Sequence, residues 1–330
     1  MTRLTECKIS DKVELLYAKT VLKNLLKHHP CADPNFLDFA VMELGTNLLK
    51  HAKQGYVWFL VCRGNLAVAA LDYGPGICDI GQAVQQGHSS LENSLGLGLY
   101  SLGQHSGYTC DILSLPHTHG QLVTGTIVLI QELIPASTPI INFSLPLFDT
   151  PYNGDFYTPK GRYHFLGDVS GHGKKASETA QDVITFFLNH SVSTLTINDF
   201  FTALHDHIKI HHERSLAVCL VEETARQWTI SGLGNIYVHT LSPRGLKNFH
   251  LPDGIIGEAL RPCRPFPILR DSDHTLLITT DGIDPLRLQH MSRFYHHLTP
   301  EAFVLGVIFF AGLNDDRSVL LFYPPQKDKT

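Results

Sequence analysis

The sequence has no long apolar segment and no excess of positive charge. No apolar run reaches the roughly 18–20 residues that a membrane-spanning helix needs, and the opening stretch MTRLTECKISDKVELL lacks the apolar block of a signal peptide. The formal net charge of −5 provides no basic field for nucleic acid. We therefore expect a cytoplasmic protein that binds neither membrane nor nucleic acid.

The sequence also lacks any C-x-x-C pair. Its seven cysteines are odd in number and scattered, which argues for a reducing compartment and against a disulfide framework or a cysteine zinc site. Among the 20 histidines there are pairs at 28–29, 211–212 and 296–297, but none has the H-E-x-x-H spacing of a metal site. We interpret them as mostly solvated surface residues.

What the sequence does contain is enough apolar material for two domains. Its 330 residues are about twice the ~150 of one typical domain, and 43% hydrophobic against 17% charged residues lets each half bury a core. Prolines concentrate between 135 and 151 and indicate a boundary near 136–140. We expect one domain over 1–135 and a second over 140–330.

The first half is predicted to place helices on one face of a mixed sheet. Apolar residues recur with helical period over 11–27, and a second helix opens at Asp33-Pro34, with the aspartate as N-cap. YVWFLVCR and LAVAALDYG read as two strands joined at Gly64-Asn65. YTCDILSL and QLVTGTIVLIQE are two further predicted strands.

The second half is predicted to be an α+β sandwich. Its strands cluster in runs, with helices near 175–190, 197–210 and 299–311. Strands that follow one another in runs favour stacked layers over a β-α-β repeat. The fold class predicted for the whole chain is therefore α+β.

One helix face of the first half carries polar groups in a regular pattern. Glu43, Asn47 and His51 stand at i, i+4 and i+8, about 6 Å apart per step on one side of an α-helix. A carboxylate there can serve as a base, and an amide oxygen can bind a hard cation. Taken alone, the pattern also fits a polar face exposed to water.

Two glycine turns follow that helix. In LDYGPGI, the carboxylate of Asp72 could accept the amino group of adenine, and Gly74 and Gly76 allow positive φ and close approach to a ligand; a simple Pro-Gly turn is the alternative. In SLGLGLYS, Gly96 and Gly98 stand at a helix start, where backbone amides favour phosphate.

The order E-x-x-x-N-x-x-x-H, D-x-G-x-G, loop, G-L-G-L resembles the Bergerat-type (GHKL) ATP-binding α/β sandwich shared by gyrase, histidine kinases and the MutL proteins. Residues 35–131 look most like the anti-sigma-factor switch serine kinases (RsbT-like). The resemblance implies ATP and Mg²⁺ as cofactors, with Asn47 binding Mg²⁺, Glu43 acting as general base on a substrate serine and Asp72 holding adenine. The four glycines would shape the pocket and its phosphate loop.

Acidic residues adjoin apolar strands throughout the second half. They are Asp155 in YNGDFY, Asp168 in GDVSGHG, Asp281 in LLITTDGI, and Asp315 and Asp316 in LNDDRSVLLF. Carboxylates at the ends of neighbouring strands can converge on hard divalent cations. Two such ions ~3.5–4 Å apart can activate water and clamp a phosphoryl group. A single Asp-Gly pair, by contrast, is usually only a turn.

This order of acids resembles the metal-dependent PPM (PP2C-type) phosphatases, specifically their SpoIIE/RsbX branch, over roughly 140–325. The resemblance implies a PP2C-like αββα sandwich and a binuclear Mn²⁺ or Mg²⁺ site. Asp168 would bridge both metals, with the carbonyl of Val169 nearby, and Asp155 would bind one ion. Asp281 and Asp315 would bind the other, the residue after Asp315 being the alternative ligand.

Together the resemblances imply a bacterial signalling switch protein, in which an ATP-dependent serine kinase module precedes a protein serine/threonine phosphatase. In relatives both activities act on STAS-domain antagonists in sigma-factor stress signalling, which implies STAS-domain partners and a stressosome-like complex. One alternative is a nucleotide-gated phosphatase whose first domain binds ATP or a partner without transferring phosphate. The other is a non-enzymatic anti-sigma or scaffold module.

Overall fold

The computed structural model describes residues 1–85, 98–117, 123–133, 139–147, 150–190 and 195–323. The chain divides into two compact units. Unit 1 comprises Met1–Ser137 with Phe294–Phe309, and unit 2 comprises Thr138–Arg293 with Phe310–Thr330. No helix within the described ranges has the length and apolar character needed to span a membrane.

Unit 1 is built on a five-stranded sheet in the order β1-β2-β3-β5-β4. Its strands are β1 (Thr2–Ile9), β2 (Gly55–Cys62), β3 (Asn65–Asp72), β4 (Tyr108–Leu115) and β5 (Gly125–Glu132), and its first helices are α1 (Lys12–Leu25), α2 (Pro34–Asn47), α3 (Ile80–Ala83) and α4 (Gly98–Gly103). A π-helical turn, Leu48–Ala52, continues α2.

Every strand pair of this sheet is antiparallel, so the predicted mixed sheet is wrong. The reason is that β2–β3 and β4–β5 are both hairpins, and β3 and β5 join them in antiparallel register. The first hairpin also turns one residue earlier than predicted: Arg63 and Gly64 take φ of 51° and 91°, and Cys62 pairs with Asn65. Two central residues with positive φ are what a two-residue hairpin requires.

Local capping accounts for the start of α2. The side chain of Asp33 accepts hydrogen bonds from the amides of Asn35 and Phe36, and Pro34 occupies the first turn, as predicted. Helices α1 and α2 then bury an apolar face on the sheet, in a core that includes Leu22 and Phe59.

Unit 2 contains two five-stranded antiparallel sheets among the described residues, ordered β13-β10-β9-β8-β7 and β12-β11-β14-β15-β6. The strands are β6 (Ile140–Leu145), β7 (Asp155–Lys160), β8 (Tyr163–Val169), β9 (Leu216–Glu223), β10 (Gln227–Leu233), β11 (Tyr237–Ser242), β12 (Gly245–Phe249), β13 (Phe266–Leu269), β14 (Thr275–Thr279) and β15 (Arg317–Phe322). The helices are α5 (Lys174–Asn189), α6 (Ile197–His211), α7 (Pro285–Met291) and α8 (Pro300–Phe310), and a 3₁₀ helix spans Ser292–His297. Strand β12 and helix α7 were not predicted.

Two apolar cores organise unit 2. Leu166, Ile278 and Phe322 contribute to a core between the two sheets, while Phe187 and Phe200 on α5 and α6 pack on the other face of the first sheet. Within the described residues, the unit therefore shows the helix, sheet and sheet layers of the expected αββα sandwich.

Most of helix α8 groups with unit 1, although it lies far along the chain. Phe309 stacks on Tyr73 at 4.4 Å and meets the ring of Trp58 at 5.9 Å, measured between ring centroids. The Arg63 guanidinium pairs with Glu301 at 2.6 Å. Successive residues of a strand point to opposite faces of the sheet. Trp58 therefore points away from the face that packs on α1 and α2, toward α8. Helices thus cover both faces of the unit 1 sheet. The prediction of helices on one face is therefore wrong.

Candidate functional site

Strand pairing gathers the predicted acids of unit 2 at one end of its two sheets. Asp155 opens β7 and lies directly opposite Asp168 of β8. Asp281 follows β14, and Asp315 precedes β15. Because β14 and β15 are antiparallel neighbours, the end of one and the start of the other lie side by side.

A threonine hydroxyl links these acids across the two sheets. The Oγ1 of Thr280 donates to Oδ2 of Asp155 at 2.7 Å, and it accepts from the amide of Ser318 at 2.9 Å. Thr280 is itself buried. It was not predicted, although it immediately precedes the acid in TTDGI.

Three of the acids have a raised pKa, and neighbouring carboxylates contribute to each rise. Burial raises the pKa of Asp168 to about 10, with further contributions from Asp155, Asp281 and Asp315. Burial likewise raises the pKa of Asp155 to about 7, against opposing hydrogen bonds from Thr280 and Ser318.

Asp281 also lies close to other carboxylates, and it has an uncharged hydrogen-bond partner. Its pKa is raised by burial first and then by the charge of Asp315. Its Oδ2 accepts from the side-chain amide of Asn235, a second residue that was not predicted. The sequence signal for it is the GLGN turn between β10 and β11.

One buried oxygen in this group has no partner among the described residues. Asp155 is 5% exposed, and its Oδ1 makes no hydrogen bond there. A buried carboxylate oxygen without a partner is costly, and a hard divalent cation is the partner that an all-oxygen donor set prefers. The residues present therefore fit Mg²⁺ or Mn²⁺.

The two adjacent acids before β15 have different surroundings. Both carboxylate oxygens of Asp316 accept backbone amides at 2.7 Å, Oδ1 from Leu147 and Oδ2 from Gly154. Asp316 thus anchors the chain before β7. Asp315 is half-buried and acts electrostatically on Asp168 and Asp281. The choice of Asp315 rather than Asp316 as the metal ligand stays a prediction.

The glycine turn after β8 brings the chain sharply into α5. Gly171 and Gly173 adopt φ of 77° and 80°, a region that favours glycine. The amide of Ser170 donates to the carbonyl of Ser215 at 2.8 Å. Val169, just before the turn, has a buried side chain, and the predicted metal contact of its carbonyl stays a prediction.

Unit 1 holds a separate site, a cavity of about 480 Å³ beside α2. It is a concave space of the size that small-molecule ligands occupy. The predicted residues that line it are Glu43, Asn47, His51, Asp72, Gly76 and Gly98. The structure therefore gathers the helix face and both glycine turns around one space.

The remaining predicted residues of this site differ in position. Gly74 is not among the described residues that line the cavity, but its amide donates to Oδ1 of Asp72 at 2.7 Å. Gly96 lies outside the described residues. Gly98 begins α4, and a Cβ added there would meet Oε2 of Glu43, so a larger residue would displace the end of that side chain.

Asp72 is the buried acid of the cavity. It ends β3, and burial raises its pKa while the amides of Gly74 and Thr126 lower it. Thr126 pairs with Asp72 across β3 and β5 and also lines the cavity. It was not predicted, because its place depends on which strand becomes the neighbour of β3.

No protein-family model matches the sequence, and no curated protein matches it. Solved structures are similar to the chain over about 55% of its length. RsbX in complex with magnesium is 15% identical over 55% of this chain and 92% of its own, with a TM-score of 0.45. The catalytic domain of the serine/threonine phosphatase PstP with two manganese ions is 12% identical over 55% of this chain and 96% of its own, with a TM-score of 0.44.

A third similar structure is from the bacterial stressosome, described as a modular system adapted to control secondary messenger signalling. It is 23% identical over 55% of this chain and 97% of its own, with a TM-score of 0.44. The resemblance of residues 35–131 to ATP-binding kinases stays a prediction.

Proposed function

We propose that unit 2 is a metal-dependent phosphatase that hydrolyses phosphoserine or phosphothreonine in a protein substrate. The observation that carries the proposal is the convergence of four predicted acids around a buried carboxylate oxygen that has no partner among the described residues. Asp155 would hold one divalent ion, Asp281 and Asp315 a second, and Asp168 would contact both. The carbonyl of Val169 stands next to this group in sequence.

A pair of divalent ions supplies an activated water and a positive clamp for the phosphoryl oxygens. The protein's part is to hold the carboxylates in place. Thr280 orients Asp155 through its 2.7 Å hydrogen bond, and Asn235 orients Asp281. Burial keeps competing water away from the contact between Thr280 and Asp155. No nucleophilic side chain is required for this reaction.

The protein substrate is proposed from the resemblance of the second half to the SpoIIE/RsbX branch. That resemblance favours a phosphorylated STAS-domain protein, within a stressosome-like complex in the cytoplasm. A phosphoserine on a folded partner would approach the acids at the strand ends, where Asp168 and Asp281 are half-buried rather than enclosed.

Phosphate release from a phosphorylated STAS protein, measured with Mn²⁺, tests this proposal. Asp168→Asn should abolish release, because it removes the carboxylate whose pKa responds to all three other acids. Asp273→Asn is the matched control: it is exposed and lies before β14, at the opposite end of that strand from Asp281. Equal release by the wild type and Asp168→Asn would overturn the assignment.

We propose in addition that unit 1 binds ATP with Mg²⁺ in the 480 Å³ cavity. The supporting observation is that residues from α2, β3 and α4 line this one space. Asp72 would accept the adenine amino group, Asn47 would hold Mg²⁺, and Glu43 would act as base on a substrate serine.

Transfer of labelled phosphate from ATP to a STAS partner tests the kinase role. Transfer that Glu43→Ala abolishes and Asp168→Asn leaves intact would support it, because these residues belong to different units. ATP binding without any transfer would instead favour a nucleotide-gated phosphatase. Absence of both ATP binding and phosphate release would favour a scaffold.

A further inference from the structure

A second cluster of ligand-type side chains lies in unit 2, formed by residues outside the acid group. Asp182 on α5 meets His207 on α6 and His212 just beyond it. Oδ2 of Asp182 lies 2.6 Å from Nε2 of His207 and 2.8 Å from Nε2 of His212. The three ligand atoms all lie within 4.8 Å of one another, and the side chains are between 19% and 38% exposed.

A buried threonine determines which nitrogen of His212 carries the proton. Oγ1 of Thr179 donates to the carbonyl of Lys175 at 3.1 Å, and the same oxygen lies 3.1 Å from Nδ1 of His212. A hydroxyl has one hydrogen, so a Thr179 that donates to Lys175 can only accept from Nδ1–H of His212. Thr179 is 2% exposed, which leaves water little access to this contact.

This tautomer turns the lone pair of a neutral His212 toward Asp182. Nε2 is then unprotonated, and it faces a carboxylate oxygen at 2.8 Å. Two lone pairs at that distance repel unless a positive charge lies between them. That charge is either a second proton on the imidazole or a metal ion.

We propose that Asp182, His207 and His212 bind a transition-metal ion of the zinc class, with Thr179 as a positioning residue. Two imidazoles and one carboxylate are borderline donors that suit Zn²⁺, unlike the all-oxygen set around Asp168. An imidazole whose second nitrogen is held by a hydrogen bond is the usual arrangement of a metal-bound histidine.

The geometry allows this with small side-chain rotations. Zn²⁺ bonds of ~2.0–2.1 Å in a tetrahedron separate ligand atoms by roughly 3.3 Å. The Asp182–His207 and Asp182–His212 contacts at 2.6 and 2.8 Å must therefore open by about 0.7 and about 0.5 Å. Three protein ligands leave a fourth position for water. The site would tie α5 to the end of α6, independently of the proposed phosphatase function.

Metal binding to the full chain, stripped of metal beforehand, tests the proposal with Zn²⁺ and Co²⁺ as probes. Zn²⁺ affinity is measured by competition with a chromophoric chelator, and nitrogen coordination by the visible absorption of Co²⁺. His212→Gln and Asp182→Asn should each weaken binding by more than the about 10–100-fold that loss of a supporting residue produces. His250→Gln is the matched control, since His250 is exposed and outside the trio.

The role of Thr179 has its own readout. Thr179→Val should weaken Zn²⁺ binding by about 10–100-fold, and Thr179→Ser should restore it because the hydroxyl is retained. Equal affinity in the wild type, His212→Gln and Asp182→Asn would overturn the site.

Nitrogen-15 resonances of histidine in the wild-type chain give a test that needs no variant. One equivalent of Zn²⁺ should shift the Nε2 signals of His207 and His212, and no shift of either would overturn the proposal. Zn²⁺ binding that survives Asp168→Asn separates this site from the proposed phosphatase centre.

Discussion

The candidate-site carboxylates of unit 2 lie close together, whereas those of unit 1 stand apart around a cavity. In unit 2, Asp155, Asp168 and Asp281 lie together, and burial with the charge of neighbouring carboxylates raises the pKa of each. In unit 1, Asp72 and Glu43 stand on separate elements around a cavity of about 480 Å³. Burial raises the pKa of Asp72, but backbone amides oppose that rise and no neighbouring carboxylate adds to it.

The two arrangements differ in the binding partner that their carboxylates need. Crowded carboxylates cannot all ionise unless a positive charge neutralises them, so unit 2 requires cations in order to stay ionised at neutral pH. A lone carboxylate in a cavity wall needs only a hydrogen-bond donor from a ligand. The first arrangement suits a metal centre, and the second suits an organic ligand such as a nucleotide.

Removing the central carboxylate of unit 2 should have the largest effect. Asp168→Asn should reduce Mn²⁺-dependent hydrolysis of a phosphoprotein by more than the about 100-fold upper range for a supporting residue, because Asp168 interacts with all three other acids. ATP binding to unit 1 should not change. Hydrolysis is measured by phosphate release and ATP binding by titration, on the same preparation. An unchanged hydrolysis rate would show that Asp168 is not part of a metal centre.

Removing the hydroxyl that links the two sheets should have the next largest effect. Thr280→Val should lower hydrolysis and Mn²⁺ affinity by about 10–100-fold, since Asp155 loses the donor at 2.7 Å. Thr280→Ser keeps the hydroxyl and should restore both. Steady-state kinetics at varied Mn²⁺ would show the effect, and a valine variant with normal Mn²⁺ affinity would contradict it.

The pH dependence of Mn²⁺ binding tests whether protonated carboxylates of unit 2 are the metal ligands. The folded pKa of Asp155 is raised to about 7, so below that pH the metal must displace a proton in order to bind. Apparent Mn²⁺ affinity should therefore fall by about tenfold per pH unit for each displaced proton as pH drops from 7 toward 5.5. Calorimetric titration at both pH values measures this, and a flat profile would exclude coupled carboxylates as ligands.

The smallest predicted effect lies in unit 1. Asp72→Asn should weaken ATP binding by about tenfold, the lower end for loss of a charge-assisted hydrogen bond. Hydrolysis of a small phosphate monoester in unit 2 should be unaffected. Fluorescence titration with an ATP analogue would detect the change, and equal affinity for the two proteins would remove Asp72 from the nucleotide site.

Much of the fold could be predicted because its signals are local. The N-cap at Asp33 and the amphipathic faces of α5 and α6 need only neighbouring residues. Strand β1 was missed because TRLTECKI becomes a strand only by pairing with residues 55–61, far along the chain. Helix α8 was predicted, but its grouping with unit 1 could not be read from its place in the chain.

The residues of the candidate sites also divide into those with a local sequence signal and those that depend on distant contacts. Acids that directly adjoin strands, such as Asp168 and Asp281, could be found from sequence. Thr280 and Asn235 could not, because their roles depend on which strands become neighbours. Asp182 and His207 are 25 residues apart and meet only when α5 packs on α6, so the histidines did not show a ligand spacing.

Anomalous scattering from crystals grown with Mn²⁺ tests the central claim most directly. We expect anomalous peaks within bonding distance of Asp155, Asp168, Asp281 and Asp315, with Oδ1 of Asp155 among the contacts. Fully occupied Mn²⁺ peaks elsewhere in the protein, with none bounded by these four side chains, would contradict it.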